Sequence, residues 1–541
     1  MKLIENETQQ KLRGGFYTPK PIADFILKWS FNGAADYDIL EPSAGNGVFL
    51  EQLKTNNYKY KSITAIELDK KEAQKAKSVD LKNKAVLNMD FHTFCNSTSQ
   101  IFDLVIGNPP YIRYQYFDRS QQIEAEKIFN RVNLKYSKLT NAWVSFVVGA
   151  SLLLKEKGKI GFVLPAEILQ VSYAKPLREF LSGFYNKINI VSFKKLVFPQ
   201  IQQEVVLLLC ERNQSPSHLI EHIELDDMQC LNTIDVSLFK TPRKRIDFKS
   251  NKWTFYFLDQ EEIDFLEEIS NQNSIPTIGD YANIEVGITT GSNAFFTVSK
   301  STVEAFNLHD YAKPLVGRSV QVNSLKFTKD DWLQNVNSDA RAHLLVFPTV
   351  TQLKRNKQAL IYLENGEKKS IHKGYKCRIR EQWQTVPSVW VPDALFIRRN
   401  NHYPKFVINE AGAYTTDTMH RVKLKGNVDI YALAASFYNS LSLASSEISG
   451  RSYGGGVLEL MPGEVEKIRL PYKETNAALV EEIDHMMRKE TDIHKILEHT
   501  NAIILKDGLG FAHSDIKIAD NIWRKLSQRR LNRAKSENVE I

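Results

Sequence analysis

The chain has 541 residues, enough for two to four domains at roughly 150 residues each. Hydrophobic residues make up 43% and charged residues 25%, which excludes global disorder, a collagen-like repeat and an all-coiled-coil rod. Lys and Arg number 71 against 63 Asp and Glu, and the net charge of +8 permits a polyanionic partner without requiring one.

The N-terminal MKLIENETQQKLRGG lacks the apolar core of a signal peptide. The longest apolar run, Ala142 to Leu154, falls short of the ~20 residues that cross a bilayer and reads as a buried helix. Cys95, Cys210, Cys230 and Cys377 form no CxxC pair and have no histidines at zinc spacing. A reducing cytoplasm, no membrane partner, no disulfide framework and no metal are therefore expected.

Between Asp38 and Leu209, short apolar runs alternate with amphipathic stretches. The predicted strands are Asp38–Leu40, Ser62–Ile66, Ala85–Leu87, Phe102–Ile106, Lys159–Val163, Ile188–Phe193 and Val205–Leu209. Helices are predicted at Gly47–Thr55, Lys70–Ser78 and Asn141–Lys155. This alternation predicts an α/β fold around a doubly wound sheet, with ligand loops at the carboxyl ends of its strands. After about residue 240 the rhythm stops. A catalytic domain is expected over 1–240, a mixed α+β domain over 241–473, and a helical, basic segment over 474–541.

The first strand runs into Glu41-Pro42-Ser43-Ala44-Gly45-Asn46-Gly47, a tight glycine turn opening a helix. Glycines let backbone pass close beneath a ligand, and a new helix offers free N–H groups. The next strand ends in Ile66-Glu67-Leu68-Asp69, where a carboxylate can accept two ribose hydroxyls. The third ends in Asn88-Met89-Asp90-Phe91, placing Asp90 to meet an adenine amine and Phe91 to lie against its ring. No diphosphate-cradling GxGxxG is present, so a nucleoside without phosphates, such as S-adenosylmethionine, suits the site better than NAD.

The fourth strand leads into Asn108-Pro109-Pro110-Tyr111. An exocyclic amine such as adenine N6 is a poor nucleophile, because its lone pair is delocalised into the ring. The Asn108 side-chain oxygen and the Pro109 carbonyl can take both amine hydrogens and aim the lone pair at a methyl donor. Pro110 stiffens the loop and Tyr111 can stack on the base. Such catalysis is positioning plus electrostatics.

In this order the motifs resemble those of the gamma-class, TaqI-like DNA N6-adenine methyltransferases of type II restriction-modification systems. The segment Gly15-Phe16-Tyr17-Thr18-Pro19 resembles that family's upstream cofactor motif, Lys157 to Pro165 its following strand, and Val197-Phe198-Pro199-Gln200 the motif facing the base. The resemblance implies a class I methyltransferase fold with a mixed doubly wound sheet. It further implies S-adenosylmethionine bound by Tyr17, Thr18, Pro19, Glu41, Pro42, Ser43, Gly45, Gly47, Glu67, Asp90, Phe91 and Asn108. A flipped adenine would lie between Tyr111 and Phe198. Duplex DNA, a cognate restriction endonuclease as a separate protein, a bacterial cytoplasm and a monomeric state follow from the same likeness.

Target recognition would fall to the second half. Val286 to Asn293, Tyr375 to Arg380 with Trp383, and Gly450 to Gly456 resemble recognition regions of the same group. Arg378, Arg380, Arg451, Gly454 and Gly455 are the expected DNA-binding residues, with basic clusters at Lys368–Arg380 and Arg524–Lys535. Three rival readings stay open. A protein-glutamine methyltransferase also carries this loop, but such enzymes have a helical domain ahead of the sheet, whereas only fourteen residues precede the Gly15 motif. RNA adenine methylation shares the flipping chemistry. A fused restriction-modification enzyme is disfavoured, because the Asp247–Lys249 DxK has no convincing acidic partner upstream.

Overall fold

The computed structural model describes residues 17–537 except 32–35, 113–115, 136–139, 199–203, 214–216, 240–242, 247–251, 272–274, 354–355 and 475–476. Gly15, Phe16, Pro199, Gln200, Asp247 and Lys249 lie outside the described residues. The chain forms two compact units, Met1–Gln260 and Glu261–Ile541.

The first unit opens with helix α1 (Lys20–Ser30), which buries Ile22, Phe25, Ile26 and Trp29 behind a proline-led first turn. Then follow β1 (Asp38–Glu41), α2 (Val48–Thr55), β2 (Ser62–Ile66), α3 (Lys70–Ser78), β3 (Lys84–Leu87), α4 (Phe91–Ser97) and β4 (Phe102–Gly107). After these come α5 (Arg119–Arg131), α6 (Ala142–Leu152), β5 (Leu154–Pro165), α7 (Lys175–Phe184), β6 (Lys187–Phe193), β7 (Val205–Glu211), β8 (Leu219–Leu225) and β9 (Lys244–Arg245). Most predicted boundaries agree closely, and β2 and α3 match to the residue. The exceptions are β5, which starts at Leu154 where the predicted helix Asn141–Lys155 still runs, and α1, α4, α5 and α7, which lie outside the predicted helices.

The nine strands order as β3-β2-β1-β4-β5-β7-β6-β8-β9. Strands β3 to β5 are parallel, and β7 inserts antiparallel between β5 and β6, so the sheet is mixed. Central strands such as Val205–Glu211 are buried on both faces, which is why they read as continuous apolar runs. The Ala142–Leu152 run is likewise a helix buried almost all round. Each fully buried Leu, Ile or Phe contributes about 1.5–3 kcal/mol, so this sheet supplies the main cohesion of the unit. The β8–β9 extension was not predicted. Glu221, His222 and Glu224 interrupt the apolar residues of β8, and the strand is mostly half-buried.

The second unit is α+β. One antiparallel sheet joins Ala282–Val286, Met419–Leu424, Ala394–Ile397 and Phe406–Ile408. Another joins Thr297–Val298, His343–Leu345, Ala312–Val316 and Tyr414–Thr415. Three helices matter below: α8 (Tyr375–Arg378), α9 (Ser440–Ser449) and α10 (His513–Glu537).

The C-terminal helices, expected as a segment of their own over 474–541, belong to this second unit. Arg530 on α10, 1% exposed, pairs with Glu447 on α9 at 2.7 Å and donates to the carbonyls of Asn401, His402 and Gly456. Among the described residues no helix is long and apolar enough to cross a membrane.

Candidate active site

Strand order reverses at the β1–β4 pair, and such a switch point opens a crevice at the carboxyl ends of the strands. Four loops meet that edge, those after β1, β2, β3 and β4, and hydrogen bonds knit them together. Gly45 N–H donates to Glu67 Oε2 and Asp69 N–H to Glu67 Oε1, both at 2.8 Å. Ala44 N–H donates to the Ile66 carbonyl at 2.8 Å. Ser43 Oγ donates to the Asn108 carbonyl at 3.0 Å, linking the glycine turn to the Asn-Pro-Pro-Tyr loop. The Asn88 amide donates to the carbonyls of Glu67 and Leu68 at 2.9 Å.

Turn geometry demands its glycines. Gly47 sits at φ +87°, and a Cβ there would lie 3.1 Å from the Ala76 backbone on α3. Over Gly45, at φ +52°, no atom stands within 4 Å of where a Cβ would be. That open space leaves the backbone of the turn accessible to a ligand.

Carboxylates line the crevice in unusual states. Glu41 is 1% exposed, its Oε2 has no hydrogen-bond partner among the described residues, and burial, then the neighbouring Glu67 charge, push its pKa well up. Glu67 is also raised by burial, partly offset by its two backbone N–H donors. Asp90 caps α4 by accepting from Thr93 N–H at 2.9 Å. Burial would raise its pKa, but hydrogen bonds led by that from His92 outweigh it, and the carboxylate stays ionised below its usual range. A buried orphan oxygen, two further carboxylates and empty space above a glycine fit S-adenosylmethionine, a cationic ligand rich in hydroxyl and amine donors.

The other expected cofactor residues are more varied. Tyr17 is exposed, with its phenol raised by burial and by Glu72, to which it hydrogen-bonds, and the Lys75 ammonium lies 6.0 Å from its ring. It thus sits against α3, beside the Glu67–Asp69 loop. Thr18 is buried and Pro19 is the residue that starts α1. Pro42 is buried beneath Gly107, where an added Cβ would lie 3.4 Å from its ring. Phe91 is 2% exposed and stacks on Phe146 with ring centroids 4.9 Å apart, so it is a core ring with little surface for a nucleobase.

In the loop after β4, Asn108 and Pro110 are half-buried and Pro109 is buried. The Tyr111 hydroxyl donates to the Val163 carbonyl at the end of β5 (3.1 Å), and burial raises the phenol well above its ordinary pKa. Tyr111 and Phe198 pack against one and the same core cluster. Sequence reasoning missed Asp90's supporters: His92 Nε2 lies 2.8 Å from Ser145 Oγ, and the Gln121 amide reaches Asp90 Oδ2 at 3.3 Å. His92 follows Asp90 closely and could have been suspected, whereas nothing in the spacing marks Gln121.

The recognition residues divide. Gly291, at φ +84°, packs the 289–293 loop on α8, where an added Cβ would stand 2.8 Å from Cys377 Sγ. Arg380, an expected DNA contact, is half-buried, and its guanidinium donates to the carbonyls of Thr289 (3.0 Å), Thr290 (2.8 Å) and Trp383 (3.2 Å), satisfying acceptors of the loop. Arg451 is paired with Glu464 at 2.9 Å and is likewise engaged inside the unit. Gly454 and Gly455 lie in the 3₁₀ turn Gly454–Gly456. Arg378 is exposed. In the C-terminal basic cluster, Arg524 pairs with Asp520, Lys525 with Glu262 and Arg530 with Glu447, so much of that charge is structural.

Residues 21–198 match the Eco57I restriction-modification methylase family, and residues 250–505 match the C-terminal domain of the type II methyltransferase M.Eco57I. The chain is built from Eco57I-type restriction-modification methylase domains. This methylase is 26% identical over 486 residues to the type II methyltransferase M.AccI of Acinetobacter calcoaceticus, covering 86% of each chain. It is 24% identical to M.BanIII of Aneurinibacillus aneurinilyticus over 80% of this chain and 84% of that protein. Its fold resembles that of a nuclease-deletion mutant of the Type ISP restriction-modification enzyme LlaGI, solved with a DNA substrate mimic. That match has a TM-score of 0.51 at 15% identity and covers 88% of this chain. This methylase spans 54% of the length of that solved chain. Its cofactor is S-adenosylmethionine, in keeping with the chemistry of the crevice.

Proposed function

We propose that this methylase transfers a methyl group from S-adenosylmethionine to N6 of an adenine extruded from duplex DNA. The reading is supported most directly by the Asn-Pro-Pro-Tyr loop at the end of β4, joined through Ser43 to the glycine turn that cradles the methyl donor. The donor supplies an electrophilic methyl on a sulfonium, so no metal is needed to activate it.

Glu67 holds the ribose hydroxyls, and Asp90, kept ionised, accepts the cofactor's adenine amine. Asn108 Oδ1 and the Pro109 carbonyl accept the two N6 hydrogens of the target base. That drains the lone pair from the ring and points it at the sulfonium methyl. A new N–C bond forms as the S–C bond breaks, and one N6 proton is then lost to solvent. Tyr111, held by Val163, and Phe198 offer aromatic faces that offset an unstacking cost of a few kcal/mol.

A separate restriction endonuclease is the natural partner, methylation shielding host sites, and the protein works as a monomer on DNA in the bacterial cytoplasm. Incubation with duplex DNA and isotopically labelled methyl donor, followed by nucleoside mass spectrometry, tests the reading. It expects N6-methyldeoxyadenosine. Label in N4-methylcytosine, in RNA alone or in a polypeptide would overturn it.

A further inference from the structure

In the second unit, α8 and the residue after it present an uneven surface. Cys377 is fully buried and Arg380 is turned inward to the 289–293 loop. Both bolt the segment down. Tyr375 and Ile379 are 64% and 59% exposed and lie four residues apart, one helical turn, on a shared face. Around them Lys368, Lys369, Lys373, Lys376 and Arg378 are all exposed, and none forms an ion pair with a described acidic residue. The nearby Glu367 carboxylate is occupied by the Trp383 indole at 3.1 Å.

Exposed apolar side chains lower the free energy when a partner covers them, and unneutralised cations on a rigid mount repel one another. The matching partner is anionic at its rim and apolar just within. A nucleic acid duplex has that profile, with phosphate rails flanking a groove floored by stacked bases. We infer that Tyr375 and Ile379 are apolar anchors that press into a groove of duplex DNA while Lys373, Lys376 and Arg378 hold its phosphates. The inference rests on the proposed DNA methylation and assigns part of its target surface to side chains other than the arginines.

Fluorescence anisotropy with a labelled duplex carrying the sequence that the protein methylates in cells tests this on the full-length chain. Salt is varied between roughly 50 and 200 mM. Tyr375→Ser with Ile379→Ser should weaken binding about tenfold, as removal of two central anchors does, and leave the slope of log K against log salt unchanged. Lys373→Gln with Lys376→Gln should flatten that slope by about 0.9 for each phosphate that is no longer neutralised. Both variants should melt at the wild-type temperature, because the altered side chains are exposed.

If wild type binds and methylates while the Tyr375/Ile379 variant binds as tightly as wild type, the anchor assignment is wrong and the methylation reading stands. If the variant instead abolishes a self-association seen by sedimentation, the patch is an interface between copies and the assignment also fails. Wild type that neither binds nor methylates any duplex overturns both.

Discussion

Asn108 occupies the position where chemistry and scaffold meet: its carbonyl takes the Ser43 hydroxyl, and the proposed work on the substrate amine falls to its side chain. Because that role is to hold an amine only at the moment of reaction, Asn108→Ala should lower kcat by at least about a hundredfold while shifting the Kd for DNA and for the cofactor little. Single-turnover kinetics beside equilibrium binding separate these, and an equal loss in both would refute the role. Glu41 makes a different prediction. Its pKa is raised in the fold and ordinary in the unfolded chain, so between the two the folded state holds a proton that the unfolded state has released. Stability of the ligand-free protein therefore falls as pH rises through that window. It levels off once Glu41 ionises in place. Glu41→Gln removes the titration, and its melting temperature should vary less than wild type's between roughly pH 5 and 8. Parallel thermal melts across that range would expose an error if the two slopes coincide.

Among the elements, the predicted strands and helices of the first unit were legible because a sheet buried on both faces writes unbroken apolar runs. Helix α4 was missed: Asp90 reads as a ligand contact in sequence, yet it also caps that helix. β8 escaped because its apolar pattern is blurred by Glu221, His222 and Glu224. The basic stretch on α10 read as a DNA-binding surface, since charge runs along a helix look alike whether they meet phosphate or protein. Packing sends Arg530 inward to Glu447, and a buried pair stripped of one member leaves an uncompensated charge. Arg530→Ala should cost about 3–5 kcal/mol, seen as a drop in the chemical-denaturation midpoint of the second unit. A cost below about 1 kcal/mol would return Arg530 to the surface.

At the scale of the whole molecule, two units carry two kinds of surface, a crevice lined with carboxylates and a platform rich in cations. Hydrogen exchange on the full chain should therefore divide by ligand. S-adenosylmethionine alone should protect residues 43–47, 67–69 and 88–91. Duplex DNA should protect 289–293 and 373–380. Protection of neither set by its ligand would count against the assignment of these surfaces.

The order of motifs, the strand–turn–helix rhythm and the donor chemistry were readable from the amino acids, because each depends on neighbours a few positions away. Local spacing carries the glycine turn, the capped helices and the proline-stiffened loop wherever the chain goes. The chain's own packing decided which charged groups stay available. Arg380, Arg451 and Arg530 look the same in sequence as Arg378, yet they lie beside carbonyls or carboxylates brought from as far as 129 residues away. A buried cation takes the nearest acceptor, and only the folded path settles which acceptor that is.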